Sequence, residues 1–187
     1  MTFTDTHCHL ADPKLADTLP AVLAEAQAVG VARFIVPATS PNDWQAVAQL
    51  ERPSENIHIA LGIHPWFSDG LNEAAFQELE SELIRHPQAW VGEIGLDFYG
   101  KEQTQAQRDT QTDVFIRQLI LAQNLNRRVI IHNLKATAAI AAASCGRNCA
   151  ATALCTSRFS AALQTPGRWV LALTTMRAAM SRSALSS

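Results

Sequence analysis

One repeating pattern runs through the first 143 residues and most limits what they can fold into: a short apolar run followed by an amphipathic stretch. The runs are continuously apolar, which is typical of strands buried on both faces. The stretches between them carry apolar residues three and four apart, as helices do. Such alternation predicts parallel strands joined by right-handed helical crossovers. The predicted strands cover residues 3–7, 33–39, 57–65, 90–98 and 127–132.

The length of the repeat indicates which parallel fold the chain adopts. The predicted strand centres lie about 31 residues apart, and eight such units need roughly 250 residues, the usual size of a (β/α)₈ barrel. An open doubly wound sheet is the alternative, but no glycine-rich phosphate loop follows the first strand. We therefore predict an α/β fold, a (β/α)₈ TIM-type barrel that is incomplete, with about five βα units in residues 1–143.

The composition changes abruptly near residue 144. Residues 1–143 hold all 17 acidic residues and 10 of the 15 Lys and Arg, a formal net charge of −7, whereas residues 144–187 hold five arginines and no Asp, Glu, Lys or His. At an acidic content of roughly 12%, a segment of this length should carry about five acids. The two parts therefore differ in origin or in role.

Three explanations for residues 144–187 remain open. A basic arm for nucleic acid usually clusters its charges, whereas these arginines are spread along the segment. A low-complexity linker fits poorly with Trp169 and the apolar run 170–173. The third explanation is a tail translated out of frame from a GC-rich gene, which would be rich in Ala, Arg, Ser and Cys. We favour this third explanation and expect no further strand after the fifth.

Overall composition places the chain among ordinary globular proteins. Its net charge of −2 gives no general reason to expect nucleic-acid binding, and four cysteines among 187 residues do not make a disulfide framework. No apolar run reaches the roughly 18 residues that span a bilayer. Residues 1–10 include Asp5 and lack the basic region of a secretory signal. We expect a cytoplasmic protein with no membrane association and no evident protein partner.

Side chains that can bind metals fall at the ends of the predicted strands. His7 and His9 follow the first strand, Glu93 lies on the fourth and His132 closes the fifth. The carboxyl ends of parallel barrel strands open on one face, and residues two apart on extended backbone point the same way. Imidazole binds zinc and similar cations, and a carboxylate can bridge two of them. We therefore predict a divalent metal site formed by these four residues.

Other polar residues near the strand ends have less certain roles. His64, in the motif GIHP, stands at the correct end of the third strand but is also typical of a turn. His58 and His86 are expected to be ordinary polar residues. Asp5 is expected to orient a ligand histidine, and Asp97 either does the same or caps a turn.

Four motifs together resemble one known family. DTHCHL, GIHPW, VGEIGLDFYG and QRDTQTDVFIRQLILAQNLNRRVIIH are similar in sequence and order to the TatD-type metal-dependent deoxyribonucleases and hydrolases, which are amidohydrolase-like barrels. The resemblance implies one or two divalent cations, with Zn, Mn and Mg not distinguished, and hydrolysis of DNA or a small phosphodiester. By motif, His7 and His9 resemble the first metal pair, Glu93 the bridging carboxylate and His132 a ligand of the second metal.

The chain departs from this family pattern after His132. The family shows a further histidine in a V-H-x-F-S-G block and an aspartate in an E-T-D block, but no His or Asp follows His132 here. The missing histidine would fall near Thr156, and codons shifted by one base over residues 152–156 are compatible with Gly-Val-Val-His. The alternative to an active hydrolase is thus a non-catalytic remnant that still binds a divalent metal. A nucleic-acid binder driven by the arginine tail is a third possibility.

Overall fold

The computed structural model describes residues 2–52, 56–100, 102–145 and 172–174. Its strands form one parallel sheet in which every strand neighbours the next one along the chain. They are β1 (Phe3–Asp5), β2 (Val31–Pro37), β3 (Ile57–Leu61), β4 (Trp90–Asp97), β5 (Val129–Leu134) and β6 (Ala172–Thr174). A strand order without reversal is that of a barrel wall, whereas a doubly wound sheet reverses at a switch point. The predicted incomplete (β/α)₈ barrel is confirmed.

A helix follows each of the first five strands, as the amphipathic pattern predicts. They are α1 (Leu19–Ala28), α2 (Trp44–Ala48), α3 (Glu73–Arg85), α4 (Gln105–Asn124) and α5 (Thr137–Cys145). Asn72 caps α3 by accepting a hydrogen bond from the Ala75 N–H, and Thr104 and Gln107 form a reciprocal capping box at the start of α4. These caps satisfy N–H groups that the first turn of a helix leaves without partners.

The two faces of the sheet contribute to different apolar clusters. Phe34 and Val36 of β2 belong to the main core, which also includes Leu79 of α3 and Phe115 of α4. Ile35 belongs instead to a small cluster with residues of β3, β4 and β5. Because successive side chains on a strand point to opposite faces, one face of the sheet packs against the helices and the other faces the barrel interior.

The structure corrects one expectation about residues 144–187. The three residues of β6 pair with β5 in parallel, with Ala172 opposite Ile130 and Thr174 opposite His132. The expectation of no further strand after the fifth is therefore wrong at this point, where the sequence is locally apolar. The rest of the proposed aberrant tail, 146–171 and 175–187, lies outside the described residues.

The helices were also compared with the requirements of a bilayer. Among the described residues, none is both long enough and apolar enough to cross a membrane. The cytoplasmic location stays a prediction from the sequence.

Candidate metal centre

Histidine and carboxylate side chains from four strand ends converge at one end of the sheet. They form two groups that share Glu93, the first with His7 and His9 and the second with His64 and His132. Within each group, one potential ligand atom of every residue lies within 4.8 Å of the others. The structure thus brings together all four residues that the sequence singled out and adds His64. Metal binding by them stays a prediction.

The first group follows from the local backbone after β1. The Nε2 atoms of His7 and His9 are 3.2 Å apart, and His7 Nε2 lies 3.2 Å from Glu93 Oε2. Asp5 Oδ1 accepts a hydrogen bond from the His7 main-chain N–H, so Asp5 fixes the turn in which the two histidines lie. The histidines converge, as the sequence analysis expected, but they do so in this turn, because β1 ends at Asp5 and His7 is not on extended backbone.

Cys8 sits between these histidines but faces the neighbouring strand. Its N–H donates to the Ile35 carbonyl at 3.2 Å, and its Sγ lies 3.5 Å from the same oxygen. Burial, with a further contribution from the negative charge of Asp5, raises the pKa of the Cys8 thiol to about 12. The thiol is therefore protonated at neutral pH and does not compete with the histidines as a metal ligand.

The second group has two members in direct contact and a third that is engaged elsewhere. His132 Nδ1 lies 3.1 Å from Glu93 Oε1, and the ring centroids of His132 and His64 are 4.3 Å apart. The Trp66 main-chain N–H donates to His64 Nδ1 at 3.2 Å. Burial lowers the pKa of His64 to about 4, so the ring is neutral and carries its proton on Nε2. His64 would have to change this arrangement before it could bind a cation.

Asp97, at the end of β4, contacts several parts of the centre through its two carboxylate oxygens. Its Oδ2 accepts a hydrogen bond from the Trp66 indole N–H at 2.7 Å and lies 3.3 Å from His132 Nε2. Its Oδ1 accepts from the Tyr99 N–H at 3.0 Å. A metal-binding histidine commonly donates its second ring N–H to a carboxylate, which fixes its orientation. Asp97 thus combines the two roles that the sequence left open.

Glu93 provides the negative charge that a cation requires. Its side chain is buried, and burial alone would raise its pKa. Hydrogen bonds to His132 and His7 outweigh this effect and hold the pKa of the Glu93 carboxyl well below its usual range. The carboxylate is therefore ionised at neutral pH, with each oxygen facing a different histidine group. Imidazole nitrogens around a shared carboxylate form a donor set suited to divalent cations.

Two buried glutamines on α4 support the strand ends that carry the centre. The Gln118 side chain accepts from the Ile63 N–H at 2.7 Å and donates to the Ile63 carbonyl at 3.0 Å, directly before His64. Gln111 accepts from the Asp97 N–H at 3.0 Å. The sequence analysis missed both residues, although polar residues seven apart on the apolar face of a helix are a visible signal.

The two remaining histidines lie outside both groups. His58 is on β3, and His86 follows α3 with its Nδ1 2.7 Å from Glu51 Oε2. Among the described residues, neither belongs to a cluster that could hold a metal. That both are ordinary polar residues stays a prediction.

Gly95 is a position where the centre depends on the absence of a side chain. Its φ is +143°, and a Cβ there would lie 2.0 Å from the carbonyl oxygen of His132 on the paired strand. Gly95→Ala is expected to destabilise the fold by about 3 kcal/mol or more, because it adds backbone strain and pushes β5 away. Urea unfolding of the metal-free protein measures this loss.

Gly100→Ala is the matched control, because an added Cβ there meets nothing closer than Gln103 Cβ at 3.8 Å. It should leave the free energy of unfolding within about 1 kcal/mol of the starting protein. Equal stability of the two variants would show that β4 and β5 are not packed as described.

The amino-acid sequence was compared with known protein families and proteins. Residues 4–163 match the family described as TatD related DNase. The "uncharacterized metal-dependent hydrolase YjjV" of Escherichia coli K12 is 34% identical over 133 residues, 70% of this chain and 50% of that protein. Human "Deoxyribonuclease TATDN3" is 31% identical over 144 residues, 71% of this chain and 52% of that protein. The chain thus spans about half the length of these curated relatives.

Solved structures show the same relationship. The crystal structure of the Escherichia coli TatD homologue YjjV superposes with a TM-score of 0.68 at 32% identity, covering 75% of this chain and 54% of that one. An uncharacterized amidohydrolase from Saccharomyces cerevisiae, at 17% identity and a TM-score of 0.65, covers 76% and 51% and shows the shared fold. The sequence match and the fold agree, and the chain belongs to the TatD-related DNase family.

Proposed function

We propose that this chain is part of a metal-dependent hydrolase that cleaves phosphodiester bonds, with DNA as its substrate. The observation that carries the proposal is the placement of Glu93, whose Oε2 faces His7 and whose Oε1 faces His132. A single buried carboxylate would thereby serve two cations at once. Such pairs of cations recur in enzymes that cleave phosphate esters.

The residues divide between two proposed cation positions. His7 and His9 with Glu93 Oε2 would hold one cation, and His132 with Glu93 Oε1 would hold the other. A bound divalent cation supplies Lewis-acid polarisation of a phosphoryl oxygen and lowers the pKa of water. The metal itself, among zinc, manganese and magnesium, is not selected by imidazole and carboxylate ligands alone.

The protein's own residues prepare the centre for a divalent cation. Burial keeps His64 neutral at pH 7, and the Glu93 carboxylate stays ionised because His132 and His7 hydrogen-bond to it. Asp97 accepts a hydrogen bond from the Trp66 indole N–H and lies beside His132. The orientations of the Trp66 and His132 rings therefore do not depend on solvent. These fixed positions reduce the reorganisation that the centre would undergo during reaction.

The choice of DNA as substrate rests on the family and on one relative's name. The matching family is described as TatD related DNase, and the human relative is named a deoxyribonuclease. The Escherichia coli relative is named more generally as a metal-dependent hydrolase. A small phosphodiester therefore stands beside DNA as a possible substrate in the test.

A non-catalytic protein that keeps a metal site is the second candidate function. It is favoured by residues 144–163, which carry no histidine although the family resemblance implies one near Thr156. Loss of that residue would remove a ligand while leaving His7, His9, Glu93 and His132 in place. Both candidate functions predict cation binding, and only the hydrolase predicts turnover of substrate.

The direct test assays the purified chain on bis(p-nitrophenyl) phosphate and on an end-labelled single-stranded oligonucleotide, with manganese, magnesium or zinc. Hydrolysis is expected to require the added metal, to stop in excess chelator and to fall at least about 100-fold in the His7→Ala, His9→Ala double variant. Bound metal without turnover would support the non-catalytic alternative. Metal-independent turnover would contradict the proposed function.

A further inference from the structure

Three exposed aromatic side chains follow the strand ends that carry the proposed metal centre. Trp66 and Phe67 come two and three residues after His64, with 65% and 44% of their surface exposed. Tyr99 comes two residues after Asp97 and is 57% exposed. Large aromatic residues usually bury most of their surface. Three such side chains beside one polar centre indicate a binding surface.

The exposed Trp66 ring is held in a fixed orientation. Its indole N–H donates to Asp97 Oδ2 at 2.7 Å, and its ring centroid lies 4.9 Å from that of His64. The distance to the centroid of the His132 ring is 6.4 Å. A side chain that is both anchored and exposed loses little entropy when a ligand stacks on it. The anchor also keeps the ring beside His64 and His132.

Tyr99 is linked to the same carboxylate and adds a positive charge. Its main-chain N–H donates to Asp97 Oδ1 at 3.0 Å. Lys135, just after β5, places its Nζ 4.7 Å from the centroid of the Tyr99 ring. An aromatic ring beside an ammonium group is the combination that binds single-stranded nucleic acid, because the ring stacks on a base while the cation attracts the phosphate backbone.

We propose that Trp66 and Tyr99 form a base-stacking subsite that binds the unpaired bases of single-stranded DNA next to the metal centre, with Lys135 contacting the strand's backbone. This inference rests on the proposed function for the choice of a nucleic-acid substrate. It goes beyond that function by assigning the residues that recognise bases. The face of an unpaired base is accessible to these rings, whereas in a duplex the base faces are stacked on each other.

The test compares two fluorescein-labelled single strands of equal length, a thymidine oligonucleotide and a fully abasic one, by fluorescence anisotropy in metal-free buffer. The full chain should bind the thymidine strand more tightly. Trp66→Leu and Tyr99→Leu should each weaken that binding about tenfold and change binding of the abasic strand less than twofold. Trp66→Phe keeps a ring but loses the bond to Asp97, so it should retain most of the preference for bases.

Ile84→Ala is the control, because Ile84 is 60% exposed on α3, which does not contribute to the metal centre. It should bind both strands as the starting chain does. Equal affinity of the full chain for the two strands would overturn the proposal, as would equal losses on both strands in Trp66→Leu and Tyr99→Leu. Because no metal or turnover enters this assay, it can fail while the hydrolase proposal stands, and the reverse also holds.

Discussion

Glu93→Gln is expected to abolish divalent-cation binding at both histidine groups. The substitution keeps the shape of the side chain but removes the charge and one of the two carboxylate oxygens that face His7 and His132. The affinity for manganese should fall by more than about 100-fold, beyond the 10–100-fold typical of losing an outer partner of a ligand. Equilibrium dialysis followed by metal analysis measures both the affinity and the number of cations bound.

Glu82→Gln is the matched control for this substitution. Glu82 is also partly buried and ion-paired, with Arg85 at 2.7 Å, but it lies on α3 and outside both metal groups. The Glu82→Gln variant should bind manganese with the same affinity as the starting chain. If Glu93→Gln lost one cation and kept the other at full affinity, the shared-carboxylate assignment would be wrong. Thermal melts of the metal-free variants would show whether either change affects folding.

Restoring the alternative reading frame after codon 143 is expected to raise phosphodiester turnover by at least about 100-fold. We propose that residues 144–187 are out of frame, because they carry no acidic residue and lack the histidine that the family resemblance implies near Thr156. The restored frame would supply this histidine. The assay compares the two chains on bis(p-nitrophenyl) phosphate and on DNA with manganese.

The restored chain carrying Glu93→Gln is the control, and its turnover should return to background. Comparable turnover of the two unmodified chains would contradict the out-of-frame explanation and would assign a role to residues 144–187. The family match reaches residue 163, beyond the proposed boundary at 143. The nucleotide sequence of codons 140–165 therefore tests directly where the frame changes.

The sequence predicted the barrel strands well because each strand carries a continuous local signal. β4 is buried along its whole length, and its run of apolar residues needs no knowledge of the partners. The convergence of His7 and His9 was predicted from alternation on extended backbone, whereas the structure produces it in a turn after β1 that Asp5 fixes. The regular spacing of the strands along the sequence then indicated a barrel, in which all their carboxyl ends share one face.

Features that depend on contacts between distant residues were not predictable. Trp66 and Asp97 are 31 positions apart, and Gln118 reaches the backbone of Ile63 across 55 positions. No periodicity in one segment reports such a contact, so the roles of Asp97 and His64 stayed open. β6 was missed because its three residues are too short for a pattern and lie in a segment of unusual composition.

The central claim is that Glu93 joins two cation positions at the carboxyl ends of the strands. Anomalous X-ray scattering from crystals of the full chain grown with manganese tests it most directly. The account predicts one anomalous peak beside Glu93 Oε2, His7 and His9, and a second beside Glu93 Oε1 and His132. Peaks that contact neither oxygen of Glu93, or no peak at the strand ends at saturating manganese, would contradict it.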